Sequence, residues 1–170
     1  TVATDYIATE QTGNNIYSYR NVSSAKTHGM ELSGSYDLPF GFTPYVSTTW
    51  MKRQYDNGDY TTWKTGVPEW TGRAGVRSLH SVTDDVDIIG DVYARFASQT
   101  QTESGSSRIE YKNDAWTTAN AMLGVKFGKE KQYMVVGEVL NIFNQKYSLE
   151  PNAAIYEPGV HANIKVSVEF

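Results

Sequence analysis

His80 stands four and five residues ahead of Asp84 and Asp85, a spacing that could hold a metal ion or work as an acid–base pair. The stretch from Ser81 to Asp85 is a short polar connection between two alternating segments, so a solvated turn accounts for it better. His28 and His161 lie far apart with no Cys or carboxylate motif beside them, which makes them weak candidates as haem ligands. Asp56-Asn57-Gly58-Asp59 is faintly like a calcium loop, yet Asn-Gly is first of all a turn signal. Ser104-Gly105-Ser106-Ser107 lacks the strand and helix that a phosphate cradle needs on either side. No local motif supports a hydrolase constellation, so no catalytic residue, metal site or cofactor is expected. What remains is recognition. Tyr60, Trp63 and Lys64 fall in one long polar segment, Arg108 and Tyr111 in the next, and Tyr156 in the last. Aromatic and cationic side chains of this kind suit an anionic, partly aromatic ligand through stacking and charge pairing.

These residues need a scaffold, and the composition restricts it. With 170 residues the chain has the size of one domain. It carries 15 Lys plus Arg against 19 Asp plus Glu, a net charge of -4, which speaks against a nucleic-acid binder. There are no Cys, so disulfide scaffolds, Cys zinc sites and thiol catalysis are excluded. Mean hydropathy is -0.48, and no apolar run approaches the ~18 residues of a transmembrane helix. A β-barrel escapes that test, because its apolar residues sit at every second position.

Alternation of that kind runs through the chain. In the stretch from Asn163 to Phe170 every even position is apolar and every odd one polar. Met30 to Leu38, Val86 to Phe96 and Ala121 to Phe127 repeat the pattern. Eight strands are expected, at about 2–9, 18–38, 42–55, 69–81, 86–98, 114–127, 132–143 and 160–170. Several exceed the ~9–11 residues that cross a bilayer at a tilt. Short turns alternate with long polar connections at about 10–17, 56–68, 99–113 and 144–159. Outer-membrane barrels show this asymmetry between their two rims. Asp87, Asp91 and Arg95 share one parity, as do Arg73 and Arg77, so one face of each strand is nearly free of charge. A Lys or Arg facing lipid costs about 2–4 kcal/mol, which makes the charge-free face the outer one. Trp70 and Trp116 at one end of the strands, and Phe40, Phe42, Phe127, Tyr133 and Phe170 at the other, are expected to form two interfacial belts. The fold class read here is all-β: an antiparallel up-and-down transmembrane barrel segment. A soluble sandwich would instead turn its apolar positions onto a dry core.

Four stretches carry a family resemblance. Asn21-Val-Ser-Ser-Ala-Lys-Thr-His-Gly29-Met-Glu31-Leu resembles a strand of the TonB-dependent outer-membrane receptors. Val67-Pro68-Glu69-Trp70, followed by Gly75-Val76-Arg77, resembles a later strand start. Val139-Leu-Asn141-Ile-Phe143-Asn-Gln-Lys-Tyr147 is similar to the motif near the family's C-terminus, and Pro158-Gly159 before an alternating strand is similar to its last strand. Val160 departs from the pattern, which usually has Arg there. The resemblance implies the last eight strands of a 22-stranded barrel, with the plug and about fourteen strands lying elsewhere.

It further implies a Gram-negative outer-membrane location with the C-terminus periplasmic. The activity implied is uptake of a scarce ligand, foremost an iron–siderophore complex, driven by the TonB energy-coupling complex acting on the plug. Membrane lipid and the barrel assembly machinery would be partners, with Phe170 resembling the assembly signal. Haem, cobalamin or sugar could be the ligand of such a receptor. A complete small eight-stranded barrel serving as scaffold or adhesin is the structural alternative. Starting at Thr1 with no Met or apolar leader, the chain is expected to be processed or part of a longer one.

Overall fold

The computed structural model describes residues 2–13, 16–56, 60–104, 108–149 and 155–169. Alternating β-branched, aromatic and small residues become long strands: β1 Val2–Gly13, β2 Ile16–Ser35, β3 Phe42–Asp56, β4 Thr61–Thr62, β5 Trp70–Thr83, β6 Val86–Ala97, β7 Thr100–Ser104, β8 Ile109–Asn113, β9 Trp116–Phe127, β10 Tyr133–Leu140 and β11 His161–Val168. One antiparallel sheet runs β1-β2-β3-β5-β6-β9-β10-β11, with β4 paired to the end of β3. β7 and β8 form a separate hairpin. Neighbours in the sheet follow chain order apart from these insertions, which is an up-and-down meander. Among the described residues β1 pairs only with β2 and β11 only with β10, so the sheet they form is open at both edges.

The eight expected strands are present, and two of the long connections differ from expectation. β1 and β2 stay paired through Gln11↔Tyr17 and Gly13↔Ile16, so the described residues of the segment 10–17 belong to the ladder rather than to a long loop. Polar residues do not stop antiparallel pairing where water can solvate the side chains. Most of the segment 99–113 is the β7–β8 hairpin, paired from Thr100↔Asn113 to Ser104↔Ile109. Short and long connections therefore alternate only from β2 onward.

The short turns are built as turns must be. At Pro39–Gly41, Phe40 and Gly41 have φ of 66° and 74°. A Cβ on Gly41 would stand 2.3 Å from the Leu79 carbonyl oxygen, so glycine is required there on two counts. At the turn after β9, Lys131 N–H donates to the Gly128 carbonyl at 2.8 Å.

Register assembles the two faces. Pro44, Val76, Val92, Ala121, Val139 and Ala162 lie in one row across six strands, and Ser78, Gly90, Leu123, Gly137 and Ile164 lie in the next. Among these, Val92 is 63%, Leu123 64% and Ile164 80% exposed. The opposite face carries the row Thr43, Arg77, Asp91, Met122, Glu138 and Asn163. Asp91 there is only 5% exposed and Asn120 only 2%. Apolar side chains outside and polar ones within is the reverse of a soluble β-protein and matches a barrel wall. The soluble-sandwich expectation fails on this point.

Aromatics mark the limits of the apolar band. Trp50 and Trp70 face each other in register at one end. At the other, Phe42 packs on His80 at 5.2 Å and Phe127 stacks on Tyr133 at 5.4 Å. The ten residue steps from Trp70 to His80, at ~3.3 Å each and a tilt near 40°, span about 25 Å, the height of an outer-membrane band. Trp116 is a correction to the expected belt. It pairs with Ala97, shares a face with Thr118 and Asn120, and so points inward.

Candidate ligand site

All the expected ligand residues except Tyr156 belong to two segments that are tied together. Beyond β4, Gly66 N–H donates to the Gln101 carbonyl at 2.8 Å and Glu103 N–H to the Lys64 carbonyl at 3.1 Å, and Thr65 bridges to Thr102. The Glu103 side chain is only 3% exposed; it pairs with Arg108 and accepts from the Thr62 hydroxyl at 2.6 Å. The Arg108 guanidinium, and after it the Thr62 hydroxyl, hold the Glu103 carboxyl below its ordinary pKa, and Glu103 raises that of Arg108 in turn. Lys64 pairs with Glu110. Arg108 stands over the Tyr60 ring at 5.1 Å.

Tyr60, Lys64 and Arg108 are thus brought together, but both cations already have carboxylate partners. Trp63 lies edge-on to His28 at 5.7 Å. Tyr111 is half-buried in β8. Tyr156 belongs to a different contact, under the Lys146 ammonium at 4.1 Å.

Among the described residues no group of three or more His, Cys, Asp or Glu is placed to hold a metal ion. The His161 ring nitrogen instead meets the Gly159 carbonyl at 2.8 Å. Asn57, Gly58 and Asp59 of the calcium-like stretch lie outside the described residues, as do Gly105, Ser106 and Ser107 of the serine-rich one.

Several motif residues sit where the backbone is tied or closely approached. Asn141 ends β10 with φ of 51° and is 3% exposed. Its N–H donates to the Asn120 side-chain oxygen at 3.0 Å, and its side-chain amide donates to the carbonyls of Gln145 at 2.8 Å and Pro158 at 3.3 Å. Its side-chain oxygen accepts from Gln145 N–H at 2.8 Å. One residue thereby closes both ends of the last loop onto β9. Asn144 adds a bond from Val160 N–H at 3.1 Å, and a Cβ on Gly159 would fall 2.2 Å from the Asn144 side-chain oxygen. A Cβ on Gly29 would fall 2.5 Å from the Trp50 carbonyl oxygen.

Tyr147 stacks on Trp116 at 4.3 Å, whereas Phe143 is exposed. Glu31 opposes Thr49 on the inward parity. Asn21 pairs with Ile7 through the backbone; its side chain and Phe170 lie outside the described residues.

On the inner wall Arg73 and Asp91, two of the charges expected from parity, join Tyr45, Tyr93 and Glu138 in one network. Arg73 bonds Asp91 at 2.7 Å and the Tyr45 hydroxyl at 2.8 Å, and that hydroxyl donates to Asp91 at 3.0 Å. The Arg73 guanidinium lies 3.6 Å from the Tyr93 ring centre, and Tyr93 donates to Glu138 at 2.9 Å. Nearer the short turns, Lys131 and Ser81 both bond Asp87 at 2.7 Å.

Above this network lies a pocket of about 440 Å³ that the sequence reading missed. The inner wall supplies Arg95 and Trp116; Pro68, Thr100, Asn113, Asp114 and Leu149 bring the connecting segments over it. Asn113 donates to the Ser148 carbonyl at 3.2 Å and joins the two covers. Burial raises the Tyr147 hydroxyl above its ordinary pKa, and Glu157 adds to the rise. The signal in the sequence was the inward parity of Arg95, but only register brings it beside Thr118 and within reach of Trp116.

Comparison with known proteins agrees with this architecture. A family model described as "TonB dependent receptor-like, beta-barrel" matches residues 1–142. The motifs from Phe143 onward lie past that match. Among solved structures, a chain of the FpvAI–pyocin S2 complex superposes with a TM-score of 0.66 at 15% identity, over 99% of this chain. The chain spans 24% of that one. No curated protein sequence matches. With a family match over most of its length and the wall architecture to accompany it, the chain belongs to the β-barrel family of TonB-dependent receptors.

Proposed function

We propose that this chain is the C-terminal part of the barrel of an outer-membrane receptor. The whole receptor imports a scarce ligand, foremost an iron–siderophore complex, with energy delivered by the TonB complex to a plug carried elsewhere in the protein. The observation that carries this reading is the inverted sheet: a charge-free outward band between aromatic girdles, backed by an inward wall of polar and charged side chains. Such a wall costs too much in a dry core and suits a wet or plugged lumen. The two open edges support a larger barrel over a complete eight-stranded one, because unpaired strand edges in lipid cost several kcal/mol per group. In this reading the β7–β8 hairpin and the last loop face outward, and the Pro39–Gly41 turn and the C-terminus face the periplasm.

Two measurements test it. Protease added to intact cells should cut within 99–113 and spare the Pro39–Gly41 turn; the opposite pattern inverts the topology. Uptake of radioactive iron under iron limitation should fall when the receptor gene is deleted and be restored by it only where TonB is functional. Restoration without TonB would remove the energised-import reading, and equal uptake without the receptor would remove the iron ligand.

A further inference from the structure

The pocket on the inner wall holds an uncommitted cation. Of its two arginines, Arg73 is bound to Asp91. Arg95 makes no hydrogen bond or ion pair among the described residues and only approaches the Trp116 ring, at 6.0 Å. The one carboxylate of the lining, Asp114, is exposed at the rim. Thr100, 7% exposed, lines the pocket with a buried hydroxyl that has no partner among the described residues. Beside Arg95 the Trp116–Tyr147 stack offers a flat apolar surface. Free guanidinium, unpartnered hydroxyl and the Trp116 ring, itself stacked on Tyr147, converge on one opening of ligand size.

We infer that this pocket takes an aromatic carboxylate: the carboxylate pairs with Arg95 and the ring lies against the Trp116–Tyr147 stack. A guanidinium fork matches a carboxylate with two parallel bonds, and the aromatic surface rewards a flat partner. The Thr100 hydroxyl supplies a further donor once the group is seated. The inference rests on the import-receptor reading and names the part of the ligand that the barrel wall grips. Here the wall, rather than the loop cations already paired with Glu103 and Glu110, provides the charge recognition.

The probe is salicylate, with salicylamide as its uncharged counterpart, titrated by saturation-transfer NMR against the full receptor in detergent and against empty micelles. Salicylate should bind the wild-type receptor, and salicylamide about tenfold more weakly, the worth of one charge-assisted bond. Arg95→Gln should weaken salicylate by a similar factor, with Arg95→Lys in between, while salicylamide stays unchanged. Each variant is checked for trypsin resistance in the membrane. Equal binding of the two probes to the wild type, which needs no variant, overturns the inference, as does an Arg95→Gln receptor that holds salicylate normally. In either case TonB-dependent uptake would persist and leave the receptor reading standing; loss of that uptake in the wild type would sink the receptor reading alone.

Discussion

Asn141 shows how a motif read as a family label becomes a mechanical part. A non-glycine residue with φ of 51° is uncommon, and Asn is among the few that adopt it readily. Its bonds to Asn120, Gln145 and Pro158 tie the last loop to the wall. Asn141→Ala should therefore destabilise the receptor by about 2–4 kcal/mol, since buried partners are left without bonds. Urea unfolding of the receptor in vesicles measures it. Gly41→Ala should also destabilise, as its Cβ collides with the Leu79 carbonyl. Residue identities were legible in the sequence, but their directions were only partly so. The parity of Asp87, Asp91 and Arg95 was visible, and the inner wall follows it. Trp116 was misplaced because an aromatic near a strand end fits a belt on either face; only its pairing with Ala97 settles the direction. Arg95 and Thr100 are near each other in sequence, but Trp116 and Tyr147 lie far along the chain, so no spacing rule could gather them.

At the scale of elements, strands with a clean apolar face were readable and β7–β8 was not. Thr100-Gln-Thr-Glu-Ser has no apolar side to betray its alternation, and side chains of the hairpin itself tie it to the 60–66 segment. Glu103 is the chief of these. Because its pKa is lowered in the folded protein, its contribution is fully present above the ordinary glutamate value of 4.5 and is lost as the pH falls through the lowered folded value. Acid should thus loosen the hairpin from the 60–66 segment while the wall stays folded, read as a change in Trp63 fluorescence. Glu103→Gln should produce the loosened state at neutral pH. A fluorescence change that instead tracks global unfolding would show that the hairpin is held by other contacts.

At the scale of the molecule, neighbouring residues obey opposite rules. Leu123 faces out, 64% exposed within the apolar band, and Met122 faces in, between Asp91 and Glu138. Leu123→Arg should cost about 2–4 kcal/mol in the membrane and lower the yield of trypsin-resistant receptor. Met122→Arg should be tolerated, because the new charge meets two carboxylates. Similar yields for the two would contradict the assignment of faces. The open edges lead to a further expectation: residues 1–170 expressed alone should aggregate rather than insert, as unpaired backbone along β1 and β11 seeks other strands. The meander and the charge-free face were legible at this scale because they follow from alternation alone. The closure of the barrel was not, because alternation says nothing of what pairs with the outer edges of β1 and β11.

With the topology proposed above, the brace between the 60–66 segment and the β7–β8 hairpin bears on how other molecules see the cell. A surface assembled from two segments and held by ion pairs is a conformational epitope. Antisera raised against a linear 99–113 peptide should stain denatured blots strongly and intact cells weakly, whereas antisera raised against the folded receptor should do the reverse. Glu103→Gln should bring the two closer, by turning a fixed relief into a pliable one.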